Sequence, residues 1–364
     1  MIMALIMAAM VTVTPGVSYQ KGVAFLLTHQ NQNGSWGGPQ GSADFDIMAS
    51  APGSFRAFGA ATTALCVMAL RTPALTDPLA RAGRERGIQY LLREGGVIKR
   101  ETRSVIYSVW AHGYALEALS QALQDDTRTP EDQAAIRTAA QYHLDHLGKY
   151  ETTWGGWNYY DFSLQTRQPS MEPVSFTTAS ILLNLYAAQQ AGLVVPAPLV
   201  ARALNVLEKC RKPDGSYLYG YNHRHRPLGW GSRDKGSLGR SQSGNLALFT
   251  FQKTVTPRHL LDGMEKFFAE HRFLEIGRKR QYPHEAWYNT SGYYYYFGHY
   301  YAGGLLPHLL PVDQKRMAAE LAAVVVPHQE ADGSWWDYKL FSYHWAYGTA
   351  LALMTLESCL PFLK

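Results

Sequence analysis

The sequence predicts an all-α protein, an (α/α)6 toroid of six inner and six outer helices. Three observations predict it. Small, apolar and almost uncharged helical stretches occur six times. Each is preceded by a second helix that is amphipathic and more charged. Polar, turn-rich segments separate the two kinds. A helix apolar on every side is buried, whereas one with an apolar stripe covers a core. The first set therefore forms an inner ring and the second an outer ring. Closing the circle covers the two apolar end faces that an open array would expose.

The amphipathic helices fall near Tyr19–Gln30, Ala80–Glu94, Glu131–Gly148, Pro198–Lys209, Pro257–Phe273 and Asp313–Gln329. Their apolar residues recur at helical spacing, as in Val23, Leu26 and Leu27, or Ile88, Leu91 and Leu92. Successive starts are 61, 51, 67, 59 and 56 residues apart. The apolar helices follow at Ala60–Leu70, Ala111–Leu123, Thr177–Gln189, Ser243–Phe251, His299–Leu310 and Gly348–Leu356. No long charged or Ser/Gly-rich linker interrupts the series, so residues 18–364 read as one toroid domain after an apolar segment, 1–17.

With 364 residues, 46% hydrophobic and 17% charged, the chain can bury a large core. Its net charge of +5 is spread along the sequence, which argues against nucleic acid as a partner but permits an acidic ligand. The 23 Tyr and 9 Trp supply rings that can line a cavity. Cys66, Cys210 and Cys359 show no metal-ligand spacing, so neither metal nor cofactor is expected. The apolar N-terminus is too short to span a bilayer; it reads either as signal-like or as packed on the body. Compartment and oligomeric state are left open.

Three junctions share a motif: Gln30 to Trp36 (QNQNGSW), Arg211 to Tyr217 (RKPDGSY) and Gln329 to Trp335 (QEADGSW). A degenerate copy sits at Trp154-Gly155-Gly156-Trp157. The physical reading is structural: Gln caps a helix end, Asp or Asn opens a turn, Gly turns it and the ring packs over the junction. These residues resemble the QW repeat of the prenyltransferase and squalene-cyclase superfamily. The likeness is nearest to the bacterial single-toroid proteins described as prenyltransferase/squalene oxidase repeat proteins. It implies a toroid that binds an isoprenoid-type ligand. The superfamily's cyclases carry a D-x-D-D acid; here the nearest segment, Asp44-Phe45-Asp46-Ile47, lacks the last Asp. Its protein prenyltransferases carry a zinc site of Asp, Cys and His, which has no counterpart here.

The N-termini of the inner helices should gather at one mouth, with their positive dipole ends. Residues near them are the site candidates. His112, His299, His344, Tyr295 and Asp161 are the candidate catalytic groups. Arg56, Trp110, Trp157, Tyr159, Arg240, Tyr293, Tyr343 and Trp345 are the candidate ligand-binding groups. In one reading an aromatic bowl holds a small hydrophobic or anionic isoprenoid, with Arg56 or Arg240 at a diphosphate. In a second, the His/Tyr/Arg set is that of a polysaccharide lyase acting on an acidic glycan. In a third, the toroid binds a protein or peptide at its mouth without catalysis. Against any catalytic role of the histidines stands the alternative that they form a static buried network. The basic loop Tyr217–Arg240 should sit at the mouth, as a clamp or as a solvated loop.

Overall fold

The computed structural model describes residues 14–43, 51, 53–93, 97–100 and 106–364. The Asp44–Asp46 segment and residues 1–13 lie outside them. Among the described residues there are thirteen α-helices and no strand beyond isolated bridges.

The outer helices are α1 (Pro15–Thr28), α3 (Pro78–Arg93), α5 (Pro130–Lys149), α7 (Ala197–Cys210), α9 (Pro257–Ala269) and α12 (Pro311–Val325). The inner helices are α2 (Ser54–Ala69), α4 (Ser108–Leu123), α6 (Ser175–Gln190), α8 (Asp234–Thr250), α11 (Tyr294–Leu305) and α13 (His344–Cys359). A short helix, α10 (Arg272–Gly277), follows α9. All six outer helices carry Pro at or beside the first position, where a missing N–H costs nothing and the fixed φ suits the helix. Thr129 caps α5 by accepting from Asp132 N at 3.1 Å, and Glu131 and Asp132 complement the dipole there.

Inner helices touch in the order α2, α4, α6, α8, α11, α13 and back to α2. The ring is thus closed, as the alternation of helix types predicts. Outer helices α3, α5, α7 and α9 pack mainly on the inner helix before them in sequence, whereas α12 packs mainly on α13, the one after it. The first outer helix has no predecessor, and α1 covers α13. Gly22 makes that contact possible, since a Cβ there would lie 2.8 Å from Leu353 Cδ2 of α13 and 2.6 Å from the Trp335 ring.

The Gly-Ser-aromatic turns tie these layers. Trp36, Trp157 and Trp335 are wholly buried. Each donates its Nε1–H to an outer-helix carbonyl ten residues back: Leu26 O at 2.7 Å, Leu147 O at 2.8 Å and Val325 O at 3.0 Å. Each also donates its backbone N–H to a threonine of the following inner helix, Thr63, Thr178 or Thr349. Asn33, Asp214 and Asp332 accept from the serine two residues on. Gln30 donates to Gly83 O of the next outer helix at 2.8 Å. Gln329 does the same to Ser18 O of α1 at 2.9 Å, so the last copy of the motif seals the ring to the first helix. Gly34 and Gly333 have φ of +92° and +94°, and a Cβ at either would strike a backbone carbonyl, Arg86 O or Lys21 O.

Several inner helices begin earlier than the sequence predicts. Helix α8 starts at Asp234 rather than Ser243, and α11 at Tyr294 rather than His299. The added segment of α8, Asp234 to Gln242, is rich in Gly and Ser, poor helix formers in isolation. Tertiary packing overrides that preference: Gly239 of α8 and Gly298 of α11 cross so closely that a Cβ on Gly298 would meet Gly239 Cα at 2.8 Å. The basic loop accordingly ends at Arg233, and Arg240 lies inside α8. The first helix begins at Pro15, so residues 15–17 belong to the outer ring rather than to a separate apolar segment.

Candidate functional site

A cavity of about 510 Å³ lies between the N-terminal halves of the inner helices. Phe58, Ala61, Thr62 and Leu65 of α2 line it, with Trp110 and Tyr114 of α4, Phe176 of α6, Tyr294 and Phe297 of α11, and Tyr347 and Leu351 of α13. The loops that lead into these helices add Tyr107, Tyr159, Tyr160, Pro283, His284, Tyr293, Tyr338 and Leu340. Inner-helix side chains one turn apart stack down the wall, because residues four apart share a face. Trp110 lies parallel to Tyr114 at 5.7 Å and meets Phe297 edge-on at 5.8 Å. Tyr107 stacks on Tyr159 at 5.6 Å and touches Phe58 at 5.7 Å. Such offset and edge contacts are the favoured ring geometries and make a stiff wall.

One wall is polar. His284 Nδ1 is 3.0 Å from Asn289 O, and a carbonyl only accepts, so Nδ1 carries the proton. That leaves Nε2 of the neutral ring as an acceptor, and Tyr293 Oη lies 3.2 Å from it. Tyr293 Oη is also 3.4 Å from Tyr294 Oη. Burial lowers the His284 pKa and the charge of Arg240 adds to this, against the opposing Asn289 carbonyl. Burial raises Tyr294 to about 12, with Arg240 opposing. Arg240 itself is buried behind the wall, its guanidinium 5.0 Å from the Tyr219 ring centroid and 5.3 Å from that of Tyr294. It donates to Gly231 O and, at 3.0 Å, to Gly236 O.

Behind Tyr347 stands Asp337, fully buried, with Oδ1 2.9 Å from Tyr347 Oη and Oδ2 accepting from Tyr296 N at 3.0 Å. Burial raises its carboxyl to about 6, against those hydrogen bonds. An acid held above its unfolded value adds stability that is complete below the unfolded pKa and is lost as pH rises through the folded one. Asp337 should therefore make the fold up to about 3 kcal/mol less stable at pH 7 than at pH 4. Urea unfolding at both pH values should show this component vanish in Asp337→Asn. An unchanged pH dependence in the variant would refute it.

Of the residues singled out in the sequence, Trp110, Tyr159 and Tyr293 line the cavity. The others lie elsewhere. Trp157 is the buried junction ring of the degenerate turn, not a cavity ring. His112 faces the outer helix α5, with Nδ1 2.9 Å from His143 Nδ1 and its ring stacked on His146. His299 likewise turns outward: Nδ1 contacts Tyr295 O at 2.7 Å, and Nε2 contacts His271 Nε2 at 3.0 Å. Burial holds His143 and His299 at about 3 and places His112 well below its usual value. Neither His112 nor His299 is among the residues that line the cavity. Tyr295 donates to Val324 O of α12 at 3.2 Å. Asp161 is buried, 3.4 Å from the Arg100 guanidinium, and accepts from Ile106 N. His344 packs between Trp336 and Trp345, Trp345 is 41% exposed, and Arg56 is exposed. Tyr343 donates to Phe55 O at 3.0 Å beside the cavity rim.

His284 is not among the residues that the sequence singles out. No periodic signal marks it, because it lies in a loop and its φ is +60°. Among the described residues no group of three His, Cys, Asp or Glu side chains is arranged to hold a metal. Nor is any helix there long and apolar enough to cross a membrane.

Solved structures share this architecture along nearly the whole chain. Cellobiose 2-epimerase from Spirochaeta thermophila is 13% identical, with 97% of this chain and 100% of that one covered and a TM-score of 0.59. Type II terpene cyclase MstE from Scytonema is 15% identical, with 96% and 98% covered and a TM-score of 0.57. An α-1,6-mannanase from Salegentibacter is 10% identical, with 96% and 99% covered and a TM-score of 0.57. No protein-family model matches the chain, and no curated protein matches it in sequence. These likenesses establish the (α/α)6 toroid and leave the reaction open, since one neighbour cyclises terpenes and the others act on sugars.

Proposed function

We propose that this toroid binds an isoprenoid-type ligand in its aromatic cavity. One observation carries the reading: among the described residues, twelve of the nineteen that line the cavity are Phe, Tyr or Trp, and none is Asp, Glu, Lys or Arg. Ring faces pack against an apolar chain and attract developing positive charge. The volume lies within the range of small-molecule sites, roughly 300–1,000 Å³. The toroidal neighbour MstE was solved with geranylgeranyl dihydroxybenzoate as substrate, a ligand of this kind. A glycan-acting enzyme of the hydrolase type needs two carboxylates beside the scissile bond, which the lining does not offer. The lyase alternative keeps one support, the His284–Tyr293 pair. It needs a cation to clamp a uronate, and Arg240 is screened by the Tyr219 and Tyr294 rings.

The same lining argues against a diphosphate head group inside the cavity. A thermal-shift series with geranylgeraniol, farnesol, farnesyl diphosphate and an oligogalacturonate tests both points. Geranylgeraniol and farnesol should raise the melting temperature, farnesyl diphosphate should do no better than farnesol, and the oligosaccharide should have no effect. Stabilisation by the acidic oligosaccharide alone would overturn the proposal.

A further inference from the structure

We infer that His284 and Tyr293 form a general acid–base pair that enolises a carbonyl carried by the bound isoprenoid chain. The inference rests on the isoprenoid reading of the cavity and deepens it. Both side chains line the same wall. The Asn289 carbonyl fixes the His284 tautomer, so that Nε2 presents its lone pair to Tyr293 and the cavity beyond.

The loop is built to hold that orientation. His284 N–H donates to Ser291 Oγ at 2.7 Å, and Asn289 Nδ2 donates to His284 O at 3.1 Å. His284, Tyr288 and Asn289 all sit in the left-handed region, with φ of +60°, +61° and +58°. Three non-glycine residues held there cost free energy that the surrounding bonds must offset, and such strain gathers at functional sites. Burial lowers the His284 pKa and so favours the neutral ring, the form that can take a proton, while the Arg240 charge behind Tyr294 favours negative charge on this side of the cavity. Generating a carbocation would call for a strong acid, and among the described residues no carboxyl group lines the cavity. Enolisation asks only for a base and a hydroxyl donor, and both are present.

The step balances without another reactant. The Tyr293 hydroxyl turns from His284 Nε2 to the ligand's carbonyl oxygen and donates to it. The C–H bond next to the carbonyl breaks, and its proton goes to Nε2. The C–H electron pair becomes the C=C bond while the C=O π pair moves onto oxygen. Return of the proton to carbon restores the ketone, or at another carbon shifts the double bond.

The test uses geranylacetone, an isoprenoid ketone, with the full-length protein in deuterated buffer at neutral pH. Mass spectrometry should show deuterium entering beside the carbonyl about 100-fold or more faster than in buffer alone. His284→Gln should remove most of that excess, and Tyr293→Phe, which keeps the ring, should reduce it at least tenfold. Binding is followed in parallel by calorimetry. Geranylacetone that binds yet exchanges no faster than in buffer overturns the acid–base pair and leaves the isoprenoid reading standing. Excess exchange retained in both folded variants also overturns it. Failure of geranylacetone to bind overturns the reading of the cavity on which the pair rests.

Discussion

Trp157→Ala should lower the unfolding free energy by about 3–5 kcal/mol, the usual cost of deleting a buried tryptophan side chain. The ring is wholly enclosed, and its Nε1–H bond to Leu147 O ties the end of α5 to the chain that enters α6. Truncation leaves a cavity and also orphans that carbonyl. Trp157→Phe should cost less, because it keeps most of the packing and loses chiefly the hydrogen bond, worth about 1 kcal/mol. Urea unfolding followed by circular dichroism reads both variants. The folded fraction of Trp157→Ala should bind geranylgeraniol as the parent does, since this ring faces the junction and not the cavity. An affinity loss as large as the stability loss would show that the ring reaches the ligand after all.

Trp157 also marks where the sequence stops being informative. The twelve ring helices and their order follow from periodicity and from the contrast between charged and uncharged stretches, which is a property of whole segments. The phase of a helix within the ring is decided by which side chains meet which neighbour, and a uniformly apolar or aromatic stretch conceals it. Tyr294, Tyr295 and Tyr296 illustrate the difficulty. Successive positions turn by about 100°, so Tyr294 faces the cavity, Tyr295 bonds to Val324 O of the outer helix and Tyr296 packs behind, with its N–H on Asp337. Their sequence neighbourhoods are almost the same. The same holds for His112 and His299: each is on an inner helix, yet its ring meets a histidine outside the inner ring, His143 or His271. His284 was illegible for another reason. Its place in the cavity wall depends on a loop conformation held by Asn289 and Ser291, and a left-handed φ on a histidine leaves no trace in spacing or composition.

The contrast with Trp157 makes Trp110→Ala the sharpest test of the cavity. Trp110 sits in the first turn of α4, half-buried, with Tyr114, Phe176 and Phe297 around it and one face open to the cavity. Part of its area has no protein partner to lose, so truncation should cost less stability than at Trp157. A bound apolar chain supplies the missing contact, and aromatic anchors of this kind commonly dominate binding energy. Affinity for geranylgeraniol, measured by calorimetry, should therefore fall roughly 10- to 100-fold, which corresponds to about 1.4–2.8 kcal/mol. Trp110→Phe should recover most of it. A polar ligand held by the Tyr293–His284 wall would hardly register the change, because no hydrogen bond to that wall depends on the indole. Unchanged geranylgeraniol affinity in a folded Trp110→Ala protein would mean that the ring-lined space is not where the chain binds.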